Sequence, residues 1–300
     1  MPTGVLMHSI SKNNRDVCYY LLVDESFTED NKNALIRVAN KYGNYISFYV
    51  VTKEMTKSLP FGRKDQPGHV SIATYYRLFI TEILPESVHK IIYLDGDMIV
   101  RHSLDDLWNT DIEDFALGVV HDMDELKHRN RLPYPMETGD FNAGMLLINV
   151  DYWRNNHCYQ QFWDFVENHF DAIKLHDQDV LNCVFYDKKR WVSLTFNFQT
   201  GFVYLPNYRQ NDESIDPEID EVKHNPVIIH YSAKNKPWMI ECFHPYCHVW
   251  RYYWRHSEWK KIRLIGDTPQ TLKERVRFFC LRYNLYMPKC EYQKLRLHTI

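Results

Sequence analysis

A short segment at residues 91–100 constrains the fold more than any other part of the sequence, because two acidic residues interrupt an apolar run there. Residues 91–94 are Ile-Ile-Tyr-Leu, a β-branched and aromatic run typical of a buried strand in an α/β sheet. Asp95 and Asp97 follow, with Gly96 between them. Ligands of α/β sheets bind at the carboxyl ends of strands, and paired carboxylates suit Mg²⁺ or Mn²⁺ bound together with phosphate oxygens. The segment therefore predicts a metal–diphosphate site.

The Asp-x-Asp pattern alone is weak evidence, since it occurs twice more, at residues 122–124 and 177–179. Only Asp95 and Asp97 directly follow a strand-like apolar run, where carboxylates without a ligand would be costly to desolvate. The alternative is a turn whose aspartates are simply solvated. We favour the ligand site because of its position in the chain.

Length and composition predict a soluble globular protein: 300 residues suffice for a large core, 45% are hydrophobic and 25% are charged. The charge is unevenly distributed. Residues 251–300 contain 12 Lys/Arg and 4 Asp/Glu, whereas the preceding 250 residues contain 24 and 35. An acidic body disfavours nucleic acid as a partner, and a basic, aromatic tail suits an anionic surface.

Several features predict a cytoplasmic location. The seven cysteines form no Cys-x₂-Cys pair, and residues 1–10 lack the basic start and long apolar core of a signal peptide. No run approaches the roughly 18 apolar residues of a membrane span. The tail is expected either to hold the protein peripherally at the inner face of the membrane or to be a solvated helical face.

Periodicity along the chain predicts an α/β organisation. A strand, a helix and a second strand are expected at residues 17–23, 28–42 and 45–51, which implies a parallel pair with a right-handed crossover. A helix from Ser71 to about Leu84 carries Arg77 among apolar neighbours, where the guanidinium either forms a salt bridge or reaches a phosphate. Loops are expected at residues 53–68, 123–139 and 207–225.

More polar side chains lie at predicted strand ends or at a helix start: His121 and Asp122, Asn142 with Ala143 and Gly144, His230 with Lys236, and Asp177 with Gln178. Two carboxylates and an imidazole would hold a divalent cation, and a nearby lysine would neutralise a diphosphate leaving group. Carboxylates and amides suit sugar hydroxyls. Close ligand approach and tight strand packing both explain the small residues Ala143 and Gly144.

The ordered set of motifs resembles glycosyltransferase family 8, in the bacterial lipopolysaccharide galactosyl- and glucosyltransferase branch related to glycogenin. The resemblance covers about residues 5–240 and is carried by Tyr-Tyr-Arg-Leu at 75–78, Tyr-Leu-Asp-Gly-Asp at 93–97, Phe-Asn-Ala-Gly-Met-Leu-Leu-Ile-Asn at 141–149, Asp-Gln-Asp-Val-Leu-Asn at 177–182 and His-Tyr-Ser-Ala-Lys-Asn-Lys-Pro-Trp at 230–238. It implies a GT-A fold with a mixed, mainly parallel central sheet. It also implies retaining transfer of glucose or galactose from a UDP-sugar to a saccharide or glycolipid acceptor in cell-surface glycan synthesis, assisted by Mn²⁺ or Mg²⁺.

The same resemblance implies roles for individual residues. Asp95, Asp97 and His230 would bind the metal, and Gln178 and Asp177 would form the catalytic face. The donor would be bound by Arg77, Asp95, Gly96, Asp97, Asp122, Asn142, Ala143, Ala233 and Lys236. Ala233 stands where many members of the family have glycine.

The amino-terminal region departs from the family pattern. Members usually begin with a strand inside the sheet, whereas residues 5–14 already match the helix that follows it, so the first strand is expected to be missing. We expect an N-terminally short GT-A domain at residues 1–240 and a helical, basic and aromatic tail at 241–300. One alternative is a truncated, inactive member that only binds a partner or folds incompletely. Another is a haloacid-dehalogenase-like phosphatase, in which Asp-x-Asp also follows a strand.

Overall fold

The computed structural model describes residues 1–59, 71–124, 132–203, 213–283 and 285. Parts of the three predicted loops and the end of the predicted tail lie outside these residues. The strands are β1 (Cys18–Val23), β2 (Tyr45–Val50), β3 (Lys90–Leu94), β4 (Met98–Val100), β5 (Leu117–Val119), β6 (Met145–Asn149), β7 (Lys189–Trp191), β8 (Phe198–Gln199) and β9 (Ile228–His230). The α-helices are α1 (Pro2–Asn13), α2 (Glu29–Lys41), α3 (Lys53–Thr56), α4 (Ile80–Ile83), α5 (Asp105–Trp108), α6 (Val150–Asn155), α7 (Cys158–Asn168), α8 (Asp177–Val184), α9 (Thr200–Val203), α10 (Asp216–Val222), α11 (Cys247–His256) and α12 (Leu272–Arg282).

The strands of the described residues form three hydrogen-bonded groups. These are β1–β2, then β3–β6–β5–β7, and finally β4–β9–β8. Strands β1 and β2, β5 and β7, and β8 and β9 pair in parallel, whereas β3 and β6, β4 and β9, and β5 and β6 pair antiparallel. The mixed character agrees with the sequence analysis, and parallel pairs do not outnumber antiparallel ones in this part of the chain.

The predicted strand–helix–strand unit is confirmed. Strands β1 and β2 are parallel in a register that places Cys18 opposite Tyr45. Helix α2 begins where predicted because the Thr28 hydroxyl accepts the Asn31 N–H, which satisfies one of the free donors of the first turn. The helix ends before Gly43, whose φ of +71° is a left-handed conformation that glycine adopts without strain.

Helix α1 extends from the turn that follows β3 to the start of α5. At the start of α1, the Thr3 hydroxyl lies 3.0 Å from where a Cβ of Gly96 would stand, just beyond the carboxyl end of β3. At the other end, Asn14 Oδ1 accepts the N–H of Leu104, just before α5, at 2.7 Å. Lys90, the first residue of β3, donates to the carbonyl of Thr110, just after α5, at 2.9 Å.

Strand β6 lies at the centre of the molecule and separates two hydrophobic cores. Met145 and Leu147 pack into one core, and Leu146 and Ile148 pack into the other, and all four are 0% exposed. The alternation follows from the two-residue period of a strand, and burial on both faces explains why the run is continuously apolar. The first core also contains residues from α1 and α11.

Local structure differs from the sequence analysis at three places. Residues 72–79 form a 3₁₀ helix that continues into α4, where a single helix was expected. Helix α10 lies within the predicted loop at 207–225, and α3 lies within the one at 53–68. Trp250 and Trp254 of α11 belong to the first core, the one that contains Met145 and Leu147. Packing is therefore continuous across the predicted boundary at residue 240. In the described part of the chain, no helix combines the length and apolarity needed to cross a bilayer.

Candidate functional site

Every residue that the sequence analysis assigned to metal, donor or catalysis lines one cavity of about 1840 Å³. The cavity opens at the carboxyl end of β3 and extends along that strand toward β1 and α1. The elements that supply polar groups to it are the turn between β3 and β4, the entry to β6, the start of α8 and the end of β9. The topology therefore brings together residues that are up to 159 positions apart, from Arg77 to Lys236.

The three predicted metal ligands converge. Strands β4 and β9 pair antiparallel with Met98 opposite His230, and Asp97 O accepts the Tyr231 N–H at 3.0 Å. This register places the His230 imidazole beside the turn that carries the two aspartates. One ligand atom from each of Asp95, Asp97 and His230 lies within 4.8 Å of the others, and His230 Nε2 is 3.3 Å from Asp97 Oδ1.

Asp97 lies between His230 and the ammonium of Lys236. Its second oxygen accepts from Lys236 Nζ at 2.6 Å, and the same ammonium donates to the carbonyl of Tyr231 at 2.6 Å. Burial alone would raise the pKa of the Asp97 carboxyl, but His230 and Lys236 outweigh burial and hold this pKa well below its usual range. Asp97 is therefore a carboxylate at neutral pH, as a metal ligand must be.

The buried side chain of Arg77 forms salt bridges with two of the predicted site carboxylates, Asp95 and Asp177. Its side chain is 2% exposed, and its guanidinium contacts Asp95 Oδ1 at 2.8 Å and Asp177 Oδ2 at 2.9 Å. It also donates to the carbonyls of Thr74 and Ala143. Of the two roles considered for Arg77, the structure shows the salt bridge, since the planar fork is occupied by protein groups.

Asp177 differs sharply from Asp97. Burial raises the pKa of the Asp177 carboxyl to about 7, and the attraction of Arg77 offsets only part of this effect. Asp177 opens α8, but the residue in the N-cap position is His176, whose side chain makes no capping bond. Asp177 is therefore not the cap of this helix, and its side chain is held by Arg77 instead.

The amides form a cluster beside the carboxylates. Asn142 Nδ2 donates to Asp122 Oδ2 (3.1 Å) and lies 3.3 Å from Gln178 Oε1. Gln178 Nε2 donates to the same Asp122 oxygen (2.9 Å), and Gln178 Oε1 accepts the Ala143 N–H (3.1 Å). Asp122 thus holds both amides, the predicted donor-binding Asn142 and the predicted catalytic Gln178, and all of these groups border the cavity.

Asn197 links the two halves of the site, and the sequence analysis missed it. Its side-chain oxygen lies 2.9 Å from His230 Nδ1, and its Nδ2 donates to Asn142 Oδ1 at 3.0 Å. An acceptor on Nδ1 leaves the Nε2 lone pair facing Asp97 and the cation position, which is the arrangement found behind metal-binding histidines. Asn197 is 0% exposed and stands just before β8, in a turn that carries no recognisable motif.

Gly144 is required by packing around His230. A Cβ at this position would lie 2.4 Å from His230 Cε1 and 2.9 Å from Asn142 Oδ1, much closer than real Cβ contacts. Tight packing, one of the two explanations considered for Ala143 and Gly144, therefore accounts for the glycine. Any side chain at 144 would displace either the imidazole or the amide.

The donor set fits a divalent cation such as Mn²⁺. Two carboxylates and one imidazole are ligands that Mn²⁺ accepts, and the half-buried positions of the aspartates leave room for substrate oxygens. Lys236 and Arg77 supply positive charge next to the same aspartates. The site can therefore hold a cation and an anionic group side by side.

Comparison with known proteins identifies the class. The model of glycosyl transferase family 8 matches residues 1–242. General stress protein A of Bacillus subtilis is 29% identical over 83% of this chain and 85% of its own length, and the lipopolysaccharide 1,3-galactosyltransferase of Salmonella typhimurium is 26% identical over 80% and 69%. The crystal structure of galactosyltransferase LgtC with donor and acceptor sugar analogues superposes with a TM-score of 0.74 at 25% identity, covering 90% of this chain and 93% of that one.

The fold is therefore the GT-A fold of sugar-transferring enzymes. The chain belongs to glycosyl transferase family 8. This assignment confirms the resemblance seen in the motifs and contradicts the phosphatase alternative.

Proposed function

We propose that this glycosyltransferase moves glucose or galactose from a UDP-sugar to a saccharide or glycolipid acceptor, with retention of configuration, during cell-surface glycan synthesis. The observation that carries the proposal is the single cavity in which a carboxylate–imidazole–lysine group lies next to an amide–carboxylate group. The first group suits a cation and a diphosphate, and the second suits sugar hydroxyls. The matched relatives include lipopolysaccharide galactosyl- and glucosyltransferases, which supports a hexose as the transferred group.

In this proposal Asp95, Asp97 and His230 hold Mn²⁺ or Mg²⁺, which, when bound, supplies Lewis-acid stabilisation of the departing diphosphate. Lys236 lies 2.6 Å from Asp97 and contributes a second positive charge to that leaving group. Gly96 and Ala233 line the same part of the cavity and leave space for the donor. Arg77 acts on the donor through Asp95 and Asp177, which it orients.

The amide cluster provides the sugar-binding and reactive side. Asp122, Asn142 and the Ala143 backbone are proposed to hold the hexose hydroxyls, with Asp177 behind them. Gln178 is proposed to stand at the reactive face, where its amide would stabilise positive charge developing on the sugar. Without a sugar, the Gln178 amide is held by Asp122 and the Ala143 N–H, so its orientation is set before the donor binds.

The first test is thermal unfolding of the full chain with and without UDP and Mn²⁺, for the native sequence and for Asp97→Ala. A ligand at 100 times its Kd stabilises a folded protein by about 2.7 kcal/mol, which is a rise in Tm of several degrees for a chain of this size. We expect that rise in the native chain and none in Asp97→Ala. Asp106→Ala, which changes an exposed aspartate in α5, is the matched control and should keep the rise.

Donor turnover then separates the enzyme from the binding-only alternative. UDP release from UDP-glucose or UDP-galactose with Mn²⁺ should be measurable in the native chain and should fall at least about 100-fold in Gln178→Ala. A stabilised chain that releases no UDP from either donor would support the binding-only alternative. No stabilisation and no release would contradict the metal–diphosphate site itself.

We further propose that α12 meets an anionic membrane surface. Leu272, Val276, Phe279 and Tyr283 are 76%, 58%, 52% and 48% exposed, and their spacing places them along one side of the helix. Lys273, Arg275 and Arg277 are exposed on the same helix. An apolar stripe next to basic side chains suits a layer of acidic headgroups.

Vesicle co-sedimentation tests this contact. Binding to vesicles with about 30% anionic lipid should exceed binding to neutral vesicles and should weaken with salt. Phe279→Glu should reduce binding about tenfold, whereas the matched change Tyr45→Glu, at a side chain of β2 that is 77% exposed, should not. Equal binding to both vesicle types, or none, would identify α12 as a solvated helical face.

A further inference from the structure

Among the described residues, the side-chain donors that bond Asp95 both use the same oxygen of its carboxylate. The Tyr93 hydroxyl donates to Asp95 Oδ1 at 3.0 Å, and the Arg77 guanidinium donates to that oxygen at 2.8 Å. The Asp95 side chain is 30% exposed and lines the cavity. Two donors on Oδ1 therefore leave Oδ2 as the oxygen of Asp95 that is open to a ligand.

The two donors also hold each other. The Arg77 Cζ lies 4.2 Å from the centroid of the Tyr93 ring, which is a cation–π contact. The guanidinium is fixed further by Asp177 and by two backbone carbonyls. The phenol and the guanidinium thus approach Oδ1 from set directions, and the Asp95 carboxylate cannot rotate without breaking both hydrogen bonds.

The strand explains why a side chain at position 93 reaches the one at position 95. Tyr93 pairs with Leu146 in the β3–β6 ladder, and the Asp95 N–H donates to the Gly144 carbonyl at 2.8 Å, so the ladder continues one residue beyond β3. Residues two apart on an extended strand point to the same face. One ladder therefore fixes the backbone of both residues and brings the phenol alongside the carboxylate.

Tyr93 and Arg77 differ in how they are shared. The guanidinium is divided between Asp95 and Asp177, whereas the single O–H of Tyr93 goes to Asp95. Protein groups that hydrogen-bond a metal-binding carboxylate set its orientation, and their loss typically costs about 10–100-fold in metal affinity. Tyr93 has the contact that such a group needs, and the roles assigned above to metal, donor and catalysis do not include it.

We propose that Tyr93 is a positioning residue for the cation site. Its hydroxyl, together with Arg77, fixes Asp95 Oδ1 and keeps Oδ2 available to the cation. This inference rests on the proposed metal site at Asp95, Asp97 and His230. Tyr93 acts through Asp95 and does not itself contact the cation or the donor.

The test is Mn²⁺ binding by the full chain without nucleotide, followed by electron paramagnetic resonance of the free ion. Tyr93→Phe removes the hydroxyl but keeps the ring over Arg77, so the variant should fold and bind Mn²⁺ about tenfold more weakly. Tyr19→Phe is the matched control, because the Tyr19 hydroxyl is bonded to Met7 O and Ser11 Oγ, not to a carboxylate. It should keep the Mn²⁺ affinity within about twofold.

The Mn²⁺ concentration then separates positioning from a direct part in the reaction. UDP release by Tyr93→Phe should be low when Mn²⁺ is limiting. It should return to within about twofold of the native rate at 100 times the Kd of the variant, because the weakened site is then filled. A hydroxyl needed at the reacting atoms would leave the rate low even with the site saturated.

Four results would overturn the inference, and they differ in what else they affect. Equal Mn²⁺ affinity in Tyr93→Phe and the native chain would overturn the role of Tyr93 and leave the metal site intact. A loss of turnover that saturating Mn²⁺ does not restore would assign the hydroxyl to the reaction instead. An equal loss of affinity in Tyr19→Phe would show a general effect of destabilisation. A native chain that binds no Mn²⁺ would overturn the metal site as well.

Discussion

The cavity has two parts that differ in how completely their polar groups are paired with other protein groups. One part is the polar rim, formed by Arg77, Asp97 and Asn142 with their partners. The other part is the groove between β1 and β3, lined by residues 18–22 and 90–94. At the rim, Asp97 and Arg77 are each held by at least two protein partners, and Asn142 is bonded to Asp122 and Asn197. In the groove, β1 and β3 each leave one edge unpaired within the described residues. The rim is therefore preorganised without a ligand, whereas the facing parts of β1 and β3 are not paired with each other in the described part of the chain.

This difference predicts how strongly substitutions in each part of the cavity should affect stability. Rim residues orient one another across elements that are far apart in sequence. A single substitution there should therefore disturb the positions of several other rim residues. The β3 residues that line the groove are only partly buried, so changes there should be tolerated better. Each prediction below tests one side of this contrast.

The largest effect is expected at the rim for Arg77→Met. This change leaves Asp95 and Asp177 without their buried partner, and breaking a buried ion pair typically lowers the free energy of unfolding by about 3–5 kcal/mol. Chemical denaturation should show this loss. Adding Asp177→Asn should recover part of it above about pH 8, where an Asp177 carboxyl without Arg77 would have to be buried either charged or at the cost of binding a proton.

Arg37→Met is the matched control for this loss. The Arg37 and Glu258 side chains are 58% and 40% exposed, and exposed pairs contribute about 0–1 kcal/mol. A loss in Arg77→Met as small as the loss in Arg37→Met would show that the rim is not the tightly coupled network described above.

Ile91 and Ile148 compare the groove with the interior directly. The two residues are opposite each other on β3 and β6, but Ile148 is 0% exposed and Ile91 is half-exposed beside the groove. Ile148→Ala should lower the free energy of unfolding by about 2–5 kcal/mol, whereas Ile91→Ala should lower it by under about 2 kcal/mol. Equal losses, measured by urea unfolding, would mean that the groove edge is already packed like an interior strand.

Asn197 tests whether the rim is coupled from the cation position to the sugar position. Asn197→Ala removes both bonds, to His230 and to Asn142, and should weaken Mn²⁺ binding about 10–100-fold by calorimetric titration. Asn197→Asp keeps the acceptor for His230 but cannot donate to Asn142. It should therefore bind Mn²⁺ within about threefold of the native chain, or more tightly, while losing donor affinity.

The control for Asn197 is another amide with a structural role. Asn149 caps α6 and donates to the carbonyl of Ile112, away from the cavity, so Asn149→Ala should lower stability without changing Mn²⁺ affinity. If Asn197→Asp and Asn197→Ala lost Mn²⁺ affinity equally, orientation of His230 by this side chain would be refuted.

The sequence was sufficient to predict the positions of residues whose environment is determined by their neighbours along the chain. Asp95 and Asp97 follow a continuous apolar strand, and His230 ends another, so strand-end position alone indicated that they would meet. Thr28 is followed by two acidic residues and an apolar period, so the start of α2 was also predictable. In each case local pattern and tertiary position agree.

Other features depend on contacts that no local pattern specifies. Asn197 acts through His230 and Asn142, which lie 33 and 55 positions away, and its own surroundings are an aromatic turn. The sequence left open whether Arg77 reaches a phosphate or forms a salt bridge. The answer depends on Asp177, which lies on a different helix and contacts the Arg77 guanidinium. The packing around Gly144 is likewise set by the β4–β9 register, which places His230 against it.

The smallest predicted effect concerns α1, which forms one wall of the groove and is held from its opposite side by His8. Burial, followed by the nearby Lys41 and Lys12, lowers the pKa of His8 to about 4, whereas an unfolded histidine titrates near 6.5. Between these values the unfolded chain binds more protons, so the free energy of unfolding should fall as pH decreases from 6.5 to 4, by about 1–2 kcal/mol for this residue.

Denaturation at several pH values checks this slope with two variants. His8→Gln should flatten it, although His244, whose pKa burial lowers to about 3, leaves a residual dependence of the same sign. Tyr42→Phe removes the hydroxyl 3.1 Å from His8 Nδ1 without removing the titrating ring, so it should lower stability at every pH and keep the slope. An unchanged slope in His8→Gln would show that α1 is not held by a neutral histidine, and low pH would then leave the groove wall intact.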